Sequence, residues 1–292
     1  MTQRTRPRSI DELRERREGL ISAEGFEAGL ALKLRPSDVV ITPFGKSGTT
    51  WTQQIVHTLR TRGDMDFDDI SRVVPWIEAS HGLGIDLDAE QKAPPRAFKS
   101  HLDADLVPKG GRYINVVRDP GDALVSMYKF QEGWLFEPGT ISIEESAQHD
   151  FVASRSYYKH LRSWWARKVD PDVLFLAYEH MLQDPTAAIA RIASFIGIEL
   201  DDELLEVTRE HSSLAFMSKH KDRFDDFLMR RRSEEVMGLP EGSDSAKVRV
   251  GKAGSSAELS AELRDELHVL WREEIEEPLG YASYSELLAD VD

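Results

Sequence analysis

Along this chain the apolar positions change period several times, and each change predicts an element. Over 9–24 they fall at helical spacing, and Ser9 followed by Glu12 has the form of a capping box, so a helix is predicted to start there. Residues 38–42 contain Val39, Val40 and Ile41, a short β-branched run that reads as a buried strand. The run breaks at Pro43-Phe44-Gly45-Lys46-Ser47-Gly48. Helical spacing resumes over 49–62, with Trp51, Ile55 and Leu59 on one face. The first unit is therefore strand, Gly-rich turn, helix.

The pattern recurs. Residues 113–117 read as a strand, and Asp119-Pro120 then opens a helix with aspartate at the N-cap and proline at the first helical position. Leu124, Met127 and Tyr128 give that helix an apolar side. A third strand is predicted over 173–177, and Asp184-Pro185 repeats the helix start, running to about 196. Strands alternating with helices predict an α/β fold: one domain over 1–292 with a central, mostly parallel sheet flanked by helices. The stretch 218–256 is charged, poor in β-branched residues and punctuated by five glycine and proline residues from Gly238 to Gly254, so it reads as a long, mobile loop region. A helix over 259–276 closes the pattern. No internal repeat or domain-dividing linker is evident.

Composition narrows the chemistry. The chain has 292 residues, 40% of them hydrophobic, with six tryptophans, which suits a folded domain with a full core. It has no cysteine, so disulfides, thiolate metal sites and a cysteine nucleophile are excluded. A net charge of −15 argues against a nucleic-acid coat. The basic N-terminus lacks the apolar stretch of a secretory signal, and the longest apolar runs are strand-sized, so a cytoplasmic protein without a transmembrane segment is expected. Nine histidines show no metal-ligand spacing, and no metal is expected.

The turn after the first strand is the most informative segment. A helix N-terminus presents unpaired N–H groups and a positive dipole end, and here glycines, Lys46 and the hydroxyls of Ser47, Thr49 and Thr50 join it. That combination suits a phosphate-like anion. It is a P-loop-like element without the Walker A pattern, because Val40 stands where that pattern needs glycine. Arg118 follows the 113–117 strand, at the carboxyl end where open α/β sheets place ligands, and Ser126 lies eight residues on. Lys99 and His101 flank Ser100 after the apolar pair Ala97-Phe98, and Arg249 to Gly254 form a second Gly-rich basic segment. Alone, His101 reads as a buried, hydrogen-bonded histidine. Three readings of the residues stay open: a group-transferring enzyme, a divergent P-loop-like kinase or NTPase, and a non-catalytic nucleotide-binding module.

Together these segments resemble the cytosolic-type sulfotransferases that use 3′-phosphoadenylyl sulfate (PAPS). Gly45-Lys46-Ser47-Gly48-Thr49-Thr50-Trp51 is similar to the family's 5′-phosphosulfate loop, with Gly45 for the usual proline. Phe98-Lys99-Ser100-His101 resembles its catalytic-histidine segment. Arg118 and Ser126 keep the spacing of its 3′-phosphate element. Leu176-Ala177-Tyr178-Glu179 resembles the segment with the adenine-site tyrosine, and Arg249-Val250-Gly251 with Gly254 the C-terminal loop. The resemblance runs from Pro43 to Gly254. Val250 stands for the family's lysine, the usual Asp-Trp-Lys after Gly254 is absent, and Leu214 stands near Ser212 where an aromatic is common. The animal enzymes' dimerisation motif is not identifiable, so a monomer or homodimer is expected.

The resemblance implies the following roles. His101 is the general base. Lys46 and Lys99 stabilise charge around the transferring group, and Ser126 restrains Lys46. Lys46, Ser47, Gly48, Thr49 and Thr50 hold the 5′-phosphate side. Arg118, Ser126, Arg249 and Gly251 read the 3′-phosphate. Trp51, Tyr178, Ser212 and Leu214 contact adenine. The donor is PAPS, the product adenosine 3′,5′-bisphosphate, and the acceptor a small-molecule or lipid hydroxyl or amine. Among other signals, Arg230-Arg231-Arg232 reads as a solvated turn or a lid, and Trp164-Trp165 as core. Trp76, His81, Trp134 and Phe136 read either as core or as an acceptor pocket.

Overall fold

The structure, a computed structural model, describes residues 4–242, 244, 245, 247 and 251–291. Among these residues, four parallel strands form one sheet in the order β2-β1-β3-β4: β1 Val39–Ile41, β2 Ala97–Lys99, β3 Arg112–Val117 and β4 Val173–Ala177. Ile41 pairs with Lys99 on one side and Ile114 on the other. Alternate side chains enter opposite layers, as a pleated strand requires. Val40, Phe98, Tyr113 and Phe175 join Trp164, Trp165, Leu267 and Trp271. Val39, Ile41, Ala97 and Ile114 join Ile55, Leu59, Ile189 and Ile192. Helices thus cover both faces, and the strands are apolar throughout for that reason. From β1 the chain crosses to β2 on one side and then to β3 on the other. The crossovers part at the carboxyl end of β1, and that opening becomes the site.

The elements flanking the opening match the sequence pattern closely. Helix Thr49–Thr61 follows the Gly-rich turn, Pro120–Trp134 starts on the Asp119 cap, and Pro185–Ile196 on the Asp184 cap. Trp164 and Trp165 are core. Three expectations change. The first helix ends at Arg17; Gly19 turns the chain at a φ of 79°, and Ser22 caps a second helix, Ala23–Leu30. The Ala97-Phe98 pair belongs to a strand, β2, whose three residues are too few to show a period.

The third change is the largest. The 218–256 stretch, read as a long loop, contains the helix Phe227–Val236. Its helical face was hidden by its charge run and by a missing local cap: Asp226 makes no capping bond, and the Leu228 N–H instead donates to Asp69. The helix packs with the N-terminal helix in a third cluster of Leu13, Trp134, Phe136, Met229 and Met237. Of the Arg230-Arg231-Arg232 run, Arg230 pairs with Asp225 at 2.7 Å, and Arg232 donates to the carbonyls of Gly19, Leu20 and Gly82. It is a clamp rather than a solvated turn. This helix and the Leu20–Ile21 turn roof the carboxyl end of the sheet. Among the described residues no helix is long and apolar enough to cross a membrane.

Candidate active site

The turn after β1 takes its shape from two left-handed residues, Lys46 at a φ of 69° and Gly48 at 91°. Gly48 is needed twice over, because a Cβ there would also sit 3.1 Å from the Tyr178 ring. It is the N-cap of helix Thr49–Thr61 and offers no side chain, so the first-turn N–H groups have no side-chain cap. Around them Ser47 Oγ, Thr49 Oγ1 and Trp51 Nε1 are buried without a hydrogen-bond partner. Buried donors are almost always satisfied, and a cluster of orphans beside a helix N-terminus fits a phosphate-like anion.

Arg118 leaves the end of β3 and crosses to this turn. Its Nη1 donates to the Lys46 carbonyl at 2.9 Å and its Nη2 to the Lys252 carbonyl at 3.2 Å. Its guanidinium lies 4.4 Å from the Tyr178 ring centroid, and Nε keeps no partner. One turn on, the Asp122 carboxylate accepts the N–H groups of Gly254 and Ser256 at 2.8 and 2.7 Å, tying the C-terminal Gly-rich loop to the Pro120–Trp134 helix. Gly251, at a φ of 57°, closes against Leu214. Trp51 meets Tyr178 edge-on, with centroids 5.8 Å apart.

At the end of β2, His101 Nδ1 lies 2.8 Å from the Pro43 carbonyl. A carbonyl can only accept, so Nδ1 carries the proton and Nε2 is the free lone pair. Burial, seconded by the charge on Lys99, pushes the imidazole down to about 4, so it is neutral near pH 7. The His101 backbone N–H donates to Glu78 at 2.7 Å. Lys99 is buried, 4.6 Å from the Trp76 ring centroid and 3.7 Å from Asp226. Lys46 turns its ammonium over the Phe130 ring, at 4.1 Å.

One cavity of about 880 Å³ connects these groups. Lys46, Gly48, Thr49, Thr50, Trp51, Lys99, His101, Arg118, Ser126, Tyr178, Ser212, Leu214 and Gly251 all line it. Ser47 does not line it and sits behind the turn, fully buried. Arg249 and Val250 lie outside the described residues. Trp76 and Trp134 reach the cavity, whereas Phe136 is core and His81 is exposed on the surface. Sequence reasoning missed Asp226, Lys247, Phe130 and the turn residues Leu20 and Ile21, which complete the far wall. They come from separate segments: Phe130 from the Pro120–Trp134 helix, Asp226 from the N-cap of the roof helix, Leu20 and Ile21 from the turn after the first helix, and Lys247 from the C-terminal segment. The described residues hold no cluster of His, Asp and Glu able to ligate a metal.

The family model of the Sulfotransferase domain matches residues 36–276. Sulfotransferase 1B1 of Canis lupus familiaris is 35% identical over 198 residues, covering 63% of this chain and 67% of that one. Sulfotransferase 1C2 of Oryctolagus cuniculus is 29% identical over 245 residues, 79% and 78% of the two chains. Among solved structures, retinol dehydratase in complex with androsterone and inactive cofactor PAP superposes with a TM-score of 0.67 at 21% identity, covering 92% of this chain and 88% of that one. Mouse sulfotransferase SULT7A1 complexed with PAP gives 0.65 at 19%, covering 94% and 96%. These structures speak for the fold alone. The family match takes in the Gly-rich turn, β2, Arg118 with the helix that follows it, and the roof helix, and on it the chain belongs to the sulfotransferases of the cytosolic type, whose chemistry is sulfuryl transfer.

Proposed function

We propose that this chain moves a sulfuryl group from PAPS to a hydroxyl or amine of a small-molecule or lipid acceptor, in the cytoplasm, without a metal. The observation that carries the reading is His101: a neutral imidazole with one nitrogen tied to Pro43, sharing a cavity with Lys46, Lys99 and an uncapped helix N-terminus. The two solved relatives named above hold PAP, which supports the nucleotide assignment. PAPS supplies an activated sulfuryl group on a phosphate leaving group, and adenosine 3′,5′-bisphosphate is the product.

The chain's residues then divide the work. Thr49, Thr50 and the loop N–H groups hold the 5′-phosphate side, with Ser47 packed behind the turn, and Arg118 reads the 3′-phosphate with Ser126, Arg249 and Gly251. Trp51, Tyr178, Ser212 and Leu214 bound adenine; the edge-on Trp51–Tyr178 pair leaves one ring face to stack. His101 Nε2 takes the acceptor proton as the acceptor oxygen attacks sulfur, and Lys46 meets the charge growing on the departing phosphate. Lys99 steadies the sulfuryl oxygens. Ser126 restrains Lys46. The acceptor lies against Trp76, Phe130, Trp134, Leu20 and Ile21, an apolar wall suited to a phenol or alicyclic alcohol.

Titration with adenosine 3′,5′-bisphosphate and with adenosine 5′-phosphate, with and without magnesium, tests the donor side. The bisphosphate should bind at least ~10-fold more tightly, independent of magnesium, and Arg118→Ala should erase the difference. Equal affinity for the two nucleotides defeats the 3′-phosphate assignment, and magnesium-dependent ATP binding favours a kinase. Labelled PAPS with a panel of phenols, alcohols and amines tests transfer itself.

A further inference from the structure

Asp226 is a buried carboxylate at the N-cap of Phe227–Val236, where an aspartate ordinarily accepts a first-turn N–H. Here another residue does that work. Asp69 accepts the Leu228 N–H at 2.9 Å with one oxygen and the Ser71 N–H at 2.8 Å with the other. Asp226 itself stands at a φ of 56°, an uncommon conformation for a residue with a Cβ. That conformation turns its carboxylate into the cavity, where Oδ1 accepts from Lys247 at 2.5 Å and lies 3.7 Å from Lys99 Nζ.

We propose that Asp226 is a positioning residue for Lys99, keeping its ammonium charged and aimed into the cavity, and that Lys247, brought in by the C-terminal loop, tempers that charge by competing for the same carboxylate. The proposal rests on the reading of Lys99 as the group that faces the sulfuryl oxygens. Lys99 can do that only as a cation, and its surroundings oppose one: burial, then Lys247, push it down to about 8, while Asp226, Asp69 and Glu78 pull it up. The other titratable groups nearby are Lys46 and Asp225, which act on Asp226, and His101, which is neutral near pH 7. Burial works against the Asp226 charge too, but Lys247, Lys99 and Lys46 outweigh it and hold that carboxyl well below the usual range. One carboxylate thus serves lysines from β2 and from the C-terminal loop. The loop is fixed at its other end by Asp122, so the Lys99 charge depends on how the loop is seated.

Two near-isosteric variants should move Lys99 in opposite directions. Asp226→Asn removes the attracting charge and Lys247→Met the repelling one. Carbon-13 lysine NMR titration of the intact chain reads the Lys99 midpoint directly, its signal assigned by its loss in Lys99→Arg. The midpoint should fall by about one pH unit in Asp226→Asn and rise in Lys247→Met. The alkaline limb of kcat/KM should follow both shifts, with bisphosphate affinity retained. A merely structural Asp226 would lower the melting temperature and leave the midpoints in place. Midpoints that stay put, or move the same way in both variants, overturn the proposal. If Asp226→Asn does not fold, the rise in Lys247→Met decides alone. Midpoints that move as stated in a protein that transfers no sulfuryl group would retain the charge relation and defeat the functional reading.

Discussion

At the scale of single residues, His101 and Arg118 carry the sharpest consequences. A general base works in its unprotonated form, and the fraction in that form falls as pH drops through its pKa. An ordinary histidine would lose activity below about pH 6.5. Burial and Lys99 hold His101 at about 4, so the acid limb of kcat/KM should lie near pH 4 to 5. His101→Ala should lower kcat by ~10²–10⁴-fold, with bisphosphate binding intact by calorimetry. Retention of full turnover would place the base elsewhere. The sequence pointed to His101 only through its resemblance, because the signal that distinguishes it from a core histidine, the bond to the Pro43 carbonyl, comes from a turn 58 residues away.

At the scale of elements, what was legible in sequence was whatever has a local cause. Asp119-Pro120 and Asp184-Pro185 start helices because cap and proline are adjacent, and the Gly-rich turn announces itself by composition. β2 escaped because three residues carry no period, and Phe227–Val236 because its cap, Asp69, is 159 residues away in sequence from the N–H it holds. The part of the cavity wall that this helix carries, Asp226 and Met229, escaped with it. Arg232 makes the cost of this visible: three carbonyls of the Gly19–Leu20 turn and Gly82 depend on one guanidinium. Arg232→Ala should free the turn that carries Leu20 and Ile21. The expected result is a several-fold rise in acceptor KM with donor KM unchanged, read by steady-state kinetics; a matching rise in donor KM would mean the whole cavity had loosened.

At the scale of the molecule, buried histidines couple stability to acid. His160 is enclosed between Phe44 and Trp164, and burial, with His101 second, holds it at about 3. A base with a folded-state pKa below its unfolded value contributes stability that is complete above pH 6.5 and is lost as pH falls toward that folded value. Asp119 and Asp225, which burial raises to about 6, act in the opposite sense, so the acid profile of the whole protein is a partial cancellation. The difference between the wild type and His160→Gln isolates one group. From pH 6.5 to 4 the wild type should lose stability relative to the variant by about 1.4 kcal/mol per pH unit, measured by denaturant titration. A parallel pair of profiles would mean that His160 takes up its proton without unfolding.

The roof, finally, has a hydrophobic cluster of its own, separate from the two that sandwich the sheet. It is tied to the rest of the site by named contacts, Asp69 with the Leu228 N–H and Asp226 with Lys99, whereas Leu20 and Ile21 pack only against the roof cluster. Under the proposed function, that makes the roof turn a replaceable fitting: its lining can be rewritten to accept a different guest while the Arg118–Lys46 bond at the Gly-rich turn keeps its place.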